Sequence, residues 1–233
     1  MPVILLIETS TEVCSVGLCS EGRLIARKEI RDQKSHASSI NVFINQVLSE
    51  AAMEPSALNA VAVSSGPGSY TGLRIGVSTA KGLCYALGIP LLAIDSLLAL
   101  THGFLMANPG ITSPDDLLIP MVDARRMEVY AAIFDIHGNR MLQTEAIVLN
   151  EQSFSGITTG RLWLFGNGAA KTIQIFEKRP EITVISDFVP SSAHMVPLAH
   201  SACLKEEFAD LAYFEPFYLK DFVAGVPKIK GLK

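Results

Sequence analysis

A glycine-rich run in the first third of the chain has the composition of a loop that could bind an anion. Residues 64–76 read Ser-Ser-Gly-Pro-Gly-Ser-Tyr-Thr-Gly-Leu-Arg-Ile-Gly, between a predicted buried strand and a predicted helix. Backbone N–H groups at the start of a helix can hold phosphate. The run is not a P-loop, because Leu73-Arg74 follows Gly72 where Lys-Ser/Thr would be required. A tight strand-to-helix turn with Ser69 or Thr71 near the N-cap explains the run equally well.

Two further loops carry polar groups that could face the glycine run. Residues 8–11 (Glu-Thr-Ser-Thr) end the first predicted strand, and residues 123–126 (Asp-Ala-Arg-Arg) follow a strand in the second half. A guanidinium in the second loop could pair with an anion, and an exposed turn or a contact with a partner are the alternatives. The candidate residues of a degenerate nucleotide cleft are Glu8, Ser10, Gly66, Gly68, Ser69, Thr71, Asp123 and Arg125.

The spacing of the histidines and cysteines predicts no metal site. The five histidines include no His-Glu-x-x-His, and the four cysteines include no Cys-x-x-Cys. We interpret the cysteines as reduced, packed thiols and His36 as a residue at the start of a helix. A serine nucleophile would need a Gly-x-Ser-x-Gly elbow, and none of the glycine runs provides one.

Composition excludes several classes of protein. In 233 residues, 49% are hydrophobic and 18% are charged, which excludes extended disorder. No stretch reaches the ~20 apolar residues of a membrane span, and the N-terminus resembles no leader peptide, so we expect a cytoplasmic protein. A net charge of −4 argues against a domain that binds nucleic acid without a partner protein.

The order of predicted elements indicates two related halves. The first half has three strands in a meander and then helix, strand, helix and strand, over residues 3–8, 13–20, 24–30, 36–53, 59–65, 72–87 and 90–94. The second half has strands over 117–123, 128–135, 141–149, 162–165 and 182–185, with helices from 166–168 to about 176 and from 191 to about 208. We therefore predict an α/β protein with an N-terminal half over 1–106, a hinge over 107–116, a smaller C-terminal half over 117–213 and a tail over 214–233.

Ordered motifs over residues 3–135 resemble those of the bacterial TsaB (YeaZ) family. They are Ile7 to Thr11 with Cys14 to Leu18, the glycine run, Ala80 to Leu83 continuing to Ile89-Pro90, and Val122 to Tyr130. Beyond them the resemblance thins to residues 165–168, 193–199 and 216–220. The resemblance implies an ASKHA (actin/Hsp70/sugar-kinase-like) fold. Glu8 stands where the family often has Asp.

The resemblance also implies a function. Such a protein is the non-catalytic partner of TsaD, which transfers threonylcarbamoyl to N6 of adenosine 37 in tRNAs that read ANN codons, and the ATPase TsaE completes the complex. It implies a homodimer when the chain is alone, contact with tRNA only through the complex, no membrane and no required cofactor, with ATP or ADP left open at the partner interface. The catalytic sibling has a metal-binding histidine pair after the strand equivalent to residues 91–94, and here Asp95-Ser96-Leu97 follows instead. ASKHA kinases have Gly-Gly where this chain has Arg125-Arg126.

The first two helices are the predicted interface for TsaD or for a second copy. In TsaB-like proteins these helices form the dimer surface, and internal packing is the alternative. The predicted interface residues are Ile40, Phe43, Ile44, Val47, Gly76, Val77, Ala80, Leu83, Cys84 and Leu87. We expect Gly76, Ala80 and Gly82 on the face away from the sheet, and a charge at Val47 or Ala80 to weaken the heterodimer.

Two other functions remain open from the residues. An autonomous ATP-dependent small-molecule kinase would use Glu8, the glycine run, Asp123 and the Gly166-Asn167-Gly168 turn as its cleft. A self-sufficient homodimer that binds another protein is the third reading.

Overall fold

The computed structural model describes residues 2–32, 35–111, 113–157 and 160–220. The strands are β1 Val3–Glu8, β2 Val13–Ser20, β3 Arg23–Arg31, β4 Ala60–Gly66, β5 Leu91–Asp95, β6 Leu117–Asp123, β7 Glu128–Phe134, β8 Arg140–Val148, β9 Leu162–Phe165 and β10 Ile182–Ile185. The helices are α1 His36–Glu50, α2 Tyr70–Leu87, α3 Ser96–Ala107 and α4 Ser192–Leu204, with short 3-10 helices at Pro55–Ala57 and Ala169–Thr172.

The two halves share one sheet topology. The first sheet has the order β3-β2-β1-β4-β5 and the second the order β8-β7-β6-β9-β10, so each strand of one sheet has a counterpart in the other. In both, a three-strand antiparallel meander joins two parallel strands. The prediction of two related ASKHA halves is confirmed.

Helices cover both faces of the first sheet. The apolar side chains of α1 and α2 pack on one face around Leu5, Val16 and Val61, and α4 packs on the opposite face around Leu6 and Leu92. The second sheet is covered by α3 on its inner side, where Phe104 stacks on Phe165 with ring centroids 3.9 Å apart. Each half thus receives a helix from the other part of the chain, because α3 follows β5 and α4 follows β10. The predicted boundaries at 106 and 117 stay predictions.

Three elements differ from the sequence-based expectation. No element was predicted for α3. The helix expected to reach residue 176 is a 3-10 helix that ends at Thr172, whose hydroxyl donates to the carbonyl of Ala169 and competes with helical bonding. α4 ends at Leu204 rather than near residue 208, because Glu206 has a left-handed φ of 56°. The tail lies along the first half as far as Phe217 and reaches the second half at Lys220, and residues 221–233 lie outside the described part of the chain.

The face assigned to Gly76 and Ala80 is wrong. Ala80 has no exposed surface, and Gly76 is buried against the β1–β2 turn, so both lie on the sheet side of α2. Most of the predicted interface residues are likewise buried in this chain's own core, namely Ile40, Ile44, Val47, Val77 and Cys84, while Phe43, Leu83 and Leu87 are partly buried against it. A helix that packs on a sheet turns its apolar stripe inward. Of the three small residues expected on the outer face, Gly82 does lie there, exposed and with nothing within 4 Å of a Cβ placed on it.

Two further observations concern the burial of the cysteines and the length of the helices. Cys14 and Cys19 contribute to cores on opposite faces of the first sheet, and burial raises the pKa of each thiol to about 11. None of the helices within the described residues is long and apolar enough to span a bilayer.

Candidate functional site

The glycine run brings α2 into direct contact with the β1–β2 turn. A Cβ atom on Gly68 would lie 2.3 Å from the carbonyl oxygen of Ser10, and one on Gly72 would lie 2.2 Å from that of Thr9. A Cβ on Gly76 would lie 2.2 Å from Thr9 Oγ1. Close approach of the two backbones requires glycine at 68 and 72, and close packing on the Thr9 side chain requires it at 76. Close packing on the β1–β2 turn therefore accounts for the glycines at 68 and 72.

The start of α2 is capped as the sequence predicted. Ser69 is the N-cap residue, and its hydroxyl accepts a hydrogen bond from the N–H of Gly72 at 3.3 Å. The N–H of Ser69 donates to the carbonyl of Ser10 at 2.6 Å. This capping fixes the first turn of α2 beside residues 8–11.

Glu8 lies beneath the β1–β2 turn and not in an open site. Its side chain is 1% exposed, and Oε1 accepts a hydrogen bond from the N–H of Ser10 at 2.6 Å. Oε2 has no hydrogen-bond partner among the described residues. Burial raises the pKa of this carboxyl because the charged form loses its hydration, and hydrogen bonds from Ser10 and Ser64 offset only part of that effect. A buried, protonation-prone carboxyl is a poor ligand for magnesium.

A cleft of about 510 Å³ lies between the two halves. Its lining residues are Ser10, Thr11, Glu12, Gly68, Ser69, Tyr70, Thr71, Val122, Asp123, Ala124, Arg125, Tyr130, Asn167 and Lys220. The structure thus brings together six of the eight predicted cleft residues, from the β1–β2 turn, the glycine run and the β6–β7 turn. It leaves out Glu8, which is beneath the turn, and Gly66, which lies under the C-terminal segment.

The β6–β7 turn keeps a glycine-like backbone without glycine. Arg125 and Arg126 have φ values of 67° and 46°, in the left-handed region that favours glycine. The N–H of Arg125 donates to Asp123 Oδ1 at 2.6 Å, which holds the turn. The side chains of both arginines are exposed, and that of Arg125 faces the cleft. The turn therefore has a backbone that glycine favours and presents two arginine side chains.

The acidic groups at the cleft are already paired. Asp123 Oδ1 accepts from Lys171 Nζ at 2.8 Å, and Glu12 pairs with Arg31 at 3.0 Å. The second oxygen of Glu12 accepts from Asn167 Nδ2 at 2.7 Å, which joins the two halves across the cleft floor. Within the described ranges, no three His, Cys, Asp or Glu side chains lie close enough to hold a metal ion. The carboxylates that would hold a magnesium-bound nucleotide in such a cleft do not fit that task.

Arg125 is the cleft cation with no competing carboxylate. Its guanidinium makes no ion pair among the described residues, whereas Lys220 is paired with Glu128. The side chain of Tyr130 forms part of the same wall, and burial raises the pKa of its hydroxyl. The cleft therefore offers one free guanidinium and the N-terminus of α2 to an incoming group.

Asp95, which stands where the resemblance implies a histidine pair in the catalytic relative, has a structural role here. Asp95 is the N-cap of α3, and its Oδ1 accepts from the N–H of Leu98 at 2.8 Å. Its Oδ2 accepts from Arg140 of β8 at 2.7 Å. Asp95 thus caps a helix and joins the two halves.

Sequence reasoning missed several cleft residues, and the signals for them differ. Asn167 belongs to a turn that we assigned to the cleft of the kinase alternative, but its contact with Glu12 needs the two halves to be docked. Tyr70 lies within the glycine run itself. Lys220 belongs to the last stretch of family resemblance, and no local pattern indicated that it reaches the second half.

The outward side of α1 and α2 is exposed and carries few charges. Tyr85 is 84% exposed and Val42 is 50% exposed, and Arg74 is the one charged residue exposed on α2. The exposed positions of α1 are mostly small or amide side chains, including Asn41 and Asn45. This surface has the composition of an interface with a polar rim.

Comparison with known proteins identifies the relatives of this chain. A family model described as TsaD, tRNA N6-adenosine threonylcarbamoyltransferase, matches residues 28–228. The chain is 29% identical to the tRNA threonylcarbamoyladenosine biosynthesis protein TsaB of Escherichia coli, over 95% of this chain and 96% of that protein. It is 26% identical to the TsaB protein of Haemophilus influenzae, over 94% of each.

A solved structure agrees with these relatives. The crystal structure of an uncharacterized protein with similarity to peptidase YEAZ from Pseudomonas aeruginosa superposes with a TM-score of 0.80 at 27% identity, over 94% of this chain and 100% of that chain. The fold, the family model and the relatives agree over nearly the whole length. The chain belongs to the TsaD-type tRNA N6-adenosine threonylcarbamoyltransferase family, and within it to the TsaB (YeaZ) family.

Proposed function

We propose that this protein acts in the biosynthesis of threonylcarbamoyladenosine in tRNA, as a subunit without catalytic groups of its own. A TsaD homologue supplies the transferase chemistry on adenosine 37 of ANN-reading tRNAs, and this chain supports it by binding. Membership of the TsaB family supports the pathway, since the relatives are named for it.

One observation carries the non-catalytic part of the proposal. Transfer of an acyl-type group to an amine needs a base and a group that stabilises negative charge on oxygen. In the cleft, Glu8 is buried and Asp123 is held by Lys171, so neither carboxylate is available as a base or as a metal ligand. Asp95, where the catalytic sibling has histidine, is occupied as a helix cap and by Arg140.

The partner surface that the geometry supports best is the outward side of α1 and α2. It presents a large exposed aromatic ring at Tyr85 and a flat position at Gly82, where a second backbone can approach closely. In the absence of TsaD, two copies pair through the same surface. TsaE joins the heterodimer, tRNA is contacted through the complex, and no cofactor is required by this chain. ATP or ADP is expected at the partner interface, where the partner supplies the metal ligands that this cleft lacks.

Light scattering on a size-exclusion column tests the proposal. The chain is run alone and with the TsaD homologue from the same cell, with and without ATP. We expect a homodimer that gives way to a 1:1 heterodimer, and reconstituted tRNA modification that requires this chain. A monomer that does not bind TsaD would refute both the homodimer and the heterodimer.

Matched valine variants test the surface. Val42→Asp places a charge on the outward side of α1, and Val148→Asp places the same charge at an equally accessible position of β8, with the two valines 50% and 64% exposed. We expect Val42→Asp to weaken the heterodimer at least roughly ten-fold, because a charge is desolvated there, and Val148→Asp to leave it unchanged. Equal effects of the two variants would exclude this surface.

The cleft itself favours one second candidate, an autonomous ATP-dependent kinase of the same fold. Six predicted residues line it, and Arg125 is available for an anion. Turnover of ATP by the isolated chain, abolished by Arg125→Ala, would support the kinase and contradict the subunit proposal. A homodimer without affinity for TsaD and without ATPase activity would instead favour a separate protein-binding role.

A further inference from the structure

The segment after α4, which itself packs on the first sheet, continues along the first half. The N–H of Ala209 donates to the carbonyl of Leu91 at 2.8 Å, which adds a short antiparallel bridge to the open edge of β5. Lys81 of α2 then donates from Nζ to the carbonyls of Ala212 and Phe214, each at 3.2 Å. Phe214 also packs against the core under α2. This end of the segment is therefore firmly anchored.

Residues 214–220, here called the strap, continue from this anchor across the glycine run. The N–H of Phe217 donates to the carbonyl of Ser65 at 2.7 Å. A Cβ atom on Gly66 would lie 2.6 Å from the carbonyl oxygen of Phe217, and Gly66 has a φ of +105°. The glycine at 66 thus allows the strap backbone to lie directly on the loop, which is a different role from the phosphate contact expected of it.

The far end of the strap closes one side of the cleft. The rings of Tyr218 and Tyr70 are 4.6 Å apart at an angle of 37°, and Tyr70 lines the cleft. Lys220 lines the cleft as well and forms an ion pair with Glu128, the first residue of β7. The strap therefore begins on the first half and ends on the second.

The two ends of the strap differ in how firmly they are held. The anchored end has backbone hydrogen bonds and buried apolar contacts, whereas the Lys220 side chain is 48% exposed and its ion pair is reachable by salt. Exposed ion pairs contribute little and are screened. Segments with few buried contacts open locally long before the rest of a protein unfolds.

We propose that the strap is a releasable latch over the cleft, with the Lys220–Glu128 ion pair as its catch. When the latch is engaged, it covers the Ser65–Gly66 backbone and one face of Tyr70 and joins the two halves. When the ion pair breaks, residues 217–220 lift while Lys81 keeps the anchored end in place, and the cleft wall at Tyr70 becomes accessible. This control of access does not depend on pairing with TsaD.

Hydrogen exchange by mass spectrometry on the full chain tests the latch. Lys220→Glu places two carboxylates face to face, and the swapped double variant Lys220→Glu/Glu128→Lys restores opposite charges. Lys178→Glu makes the same charge change on an exposed lysine outside the strap and outside the residues that line the cleft. We expect exchange of residues 214–220 and 65–71 to accelerate roughly two- to five-fold in Lys220→Glu, as the loss of one exposed pair allows. The double variant should return to wild-type exchange, and the control should not change.

Proteolysis gives a second measure that does not depend on the charge change. Cleavage by chymotrypsin after Phe217 or Tyr218 requires the strap to leave the surface, so its rate should rise in Lys220→Glu and in wild type at high salt. The same rise is expected for Tyr218→Ala at Phe217, because the ring contact with Tyr70 is lost. Unchanged exchange and cleavage in Lys220→Glu, or no recovery in the swapped double variant, would overturn the latch.

Discussion

His194 makes the stability of this protein depend on pH in a direction fixed by its surroundings. The imidazole lies in α4 and stacks on Phe188, with ring centroids 5.2 Å apart and planes at 6°. A Cβ atom on Gly103 of α3 would lie 2.2 Å from the ring, so the helices meet closely around it. Burial lowers its pKa from 6.5 to about 4, because the cation loses its hydration, while Glu29 raises the pKa and Arg27 lowers it.

The sign and size of the effect follow from this pKa. The unfolded chain takes up a proton near pH 6.5 and the folded protein near pH 4, so stability is complete above pH 6.5 and is lost as the pH falls toward 4. One pH unit of pKa difference corresponds to about 1.4 kcal/mol. The expected loss is therefore about 3 kcal/mol at pH 4, a large share of the stability of a typical domain.

Replacement of His194 by Phe isolates this contribution. Nδ1 has no hydrogen-bond partner among the described residues, so His194→Phe removes the titration and keeps a flat ring against Phe188. Urea unfolding, followed by circular dichroism between about pH 7 and about pH 4, measures the free energy of unfolding. We expect the two proteins to agree within about 1 kcal/mol at neutral pH and to diverge by about 3 kcal/mol at pH 4, with the variant more stable.

The matched control is His137→Phe, which removes an imidazole from the exposed β7–β8 turn and makes no change at α4. If wild type and His194→Phe lost stability in parallel as the pH fell, the buried imidazole would not be the cause and the argument would be refuted.

Three further predictions test the packing. Gly76→Ala should lower the free energy of unfolding by at least about 2 kcal/mol, because the added Cβ collides with the β1–β2 turn. Gly82→Ala should raise it by about 0.5–1 kcal/mol, because alanine favours the helix and the position is open. Thermal unfolding of the two variants separates the effect of packing from that of helix propensity. Asp95→Ala should lower the free energy of unfolding by about 2 kcal/mol, and Asp95→Asn by less than about 1 kcal/mol. Asn keeps the cap of α3 and loses only the charge that pairs with Arg140. Equal losses for the two variants in urea unfolding would contradict this. Val47→Asp should prevent folding, and not merely weaken the pairing of a folded chain, because Val47 has no exposed surface. A Val47→Asp variant with a native circular dichroism spectrum would contradict this.

The parts of the candidate site that could be predicted are loops whose residue types by themselves indicate the local backbone structure. Residue types alone offered Ser69 or Thr71 as the cap of α2 and placed Asp123 in the cleft; the structure has Ser69 as the cap and brings it and Asp123 to one cleft. The faces of α2 were assigned wrongly because its residues are small or apolar nearly all round, so periodicity alone gives no direction. Gly76 shows the difficulty, since a glycine that admits a neighbouring helix and one that admits a neighbouring loop look the same in sequence.

The order of elements along the chain, the two related halves and the family motifs were determined by the sequence itself. They depend on alternation, turn residues and connections of a few residues, which act locally and need no knowledge of distant contacts. Only the tertiary structure decided which carboxylates are free to act as a base or as metal ligands. Glu12 accepts from Asn167, Asp123 pairs with Lys171, and Glu128 pairs with Lys220, and in each contact the two residues are more than 40 positions apart in the chain. No local pattern encodes contacts across such separations, and the Glu12–Asn167 contact also depends on how the two halves dock.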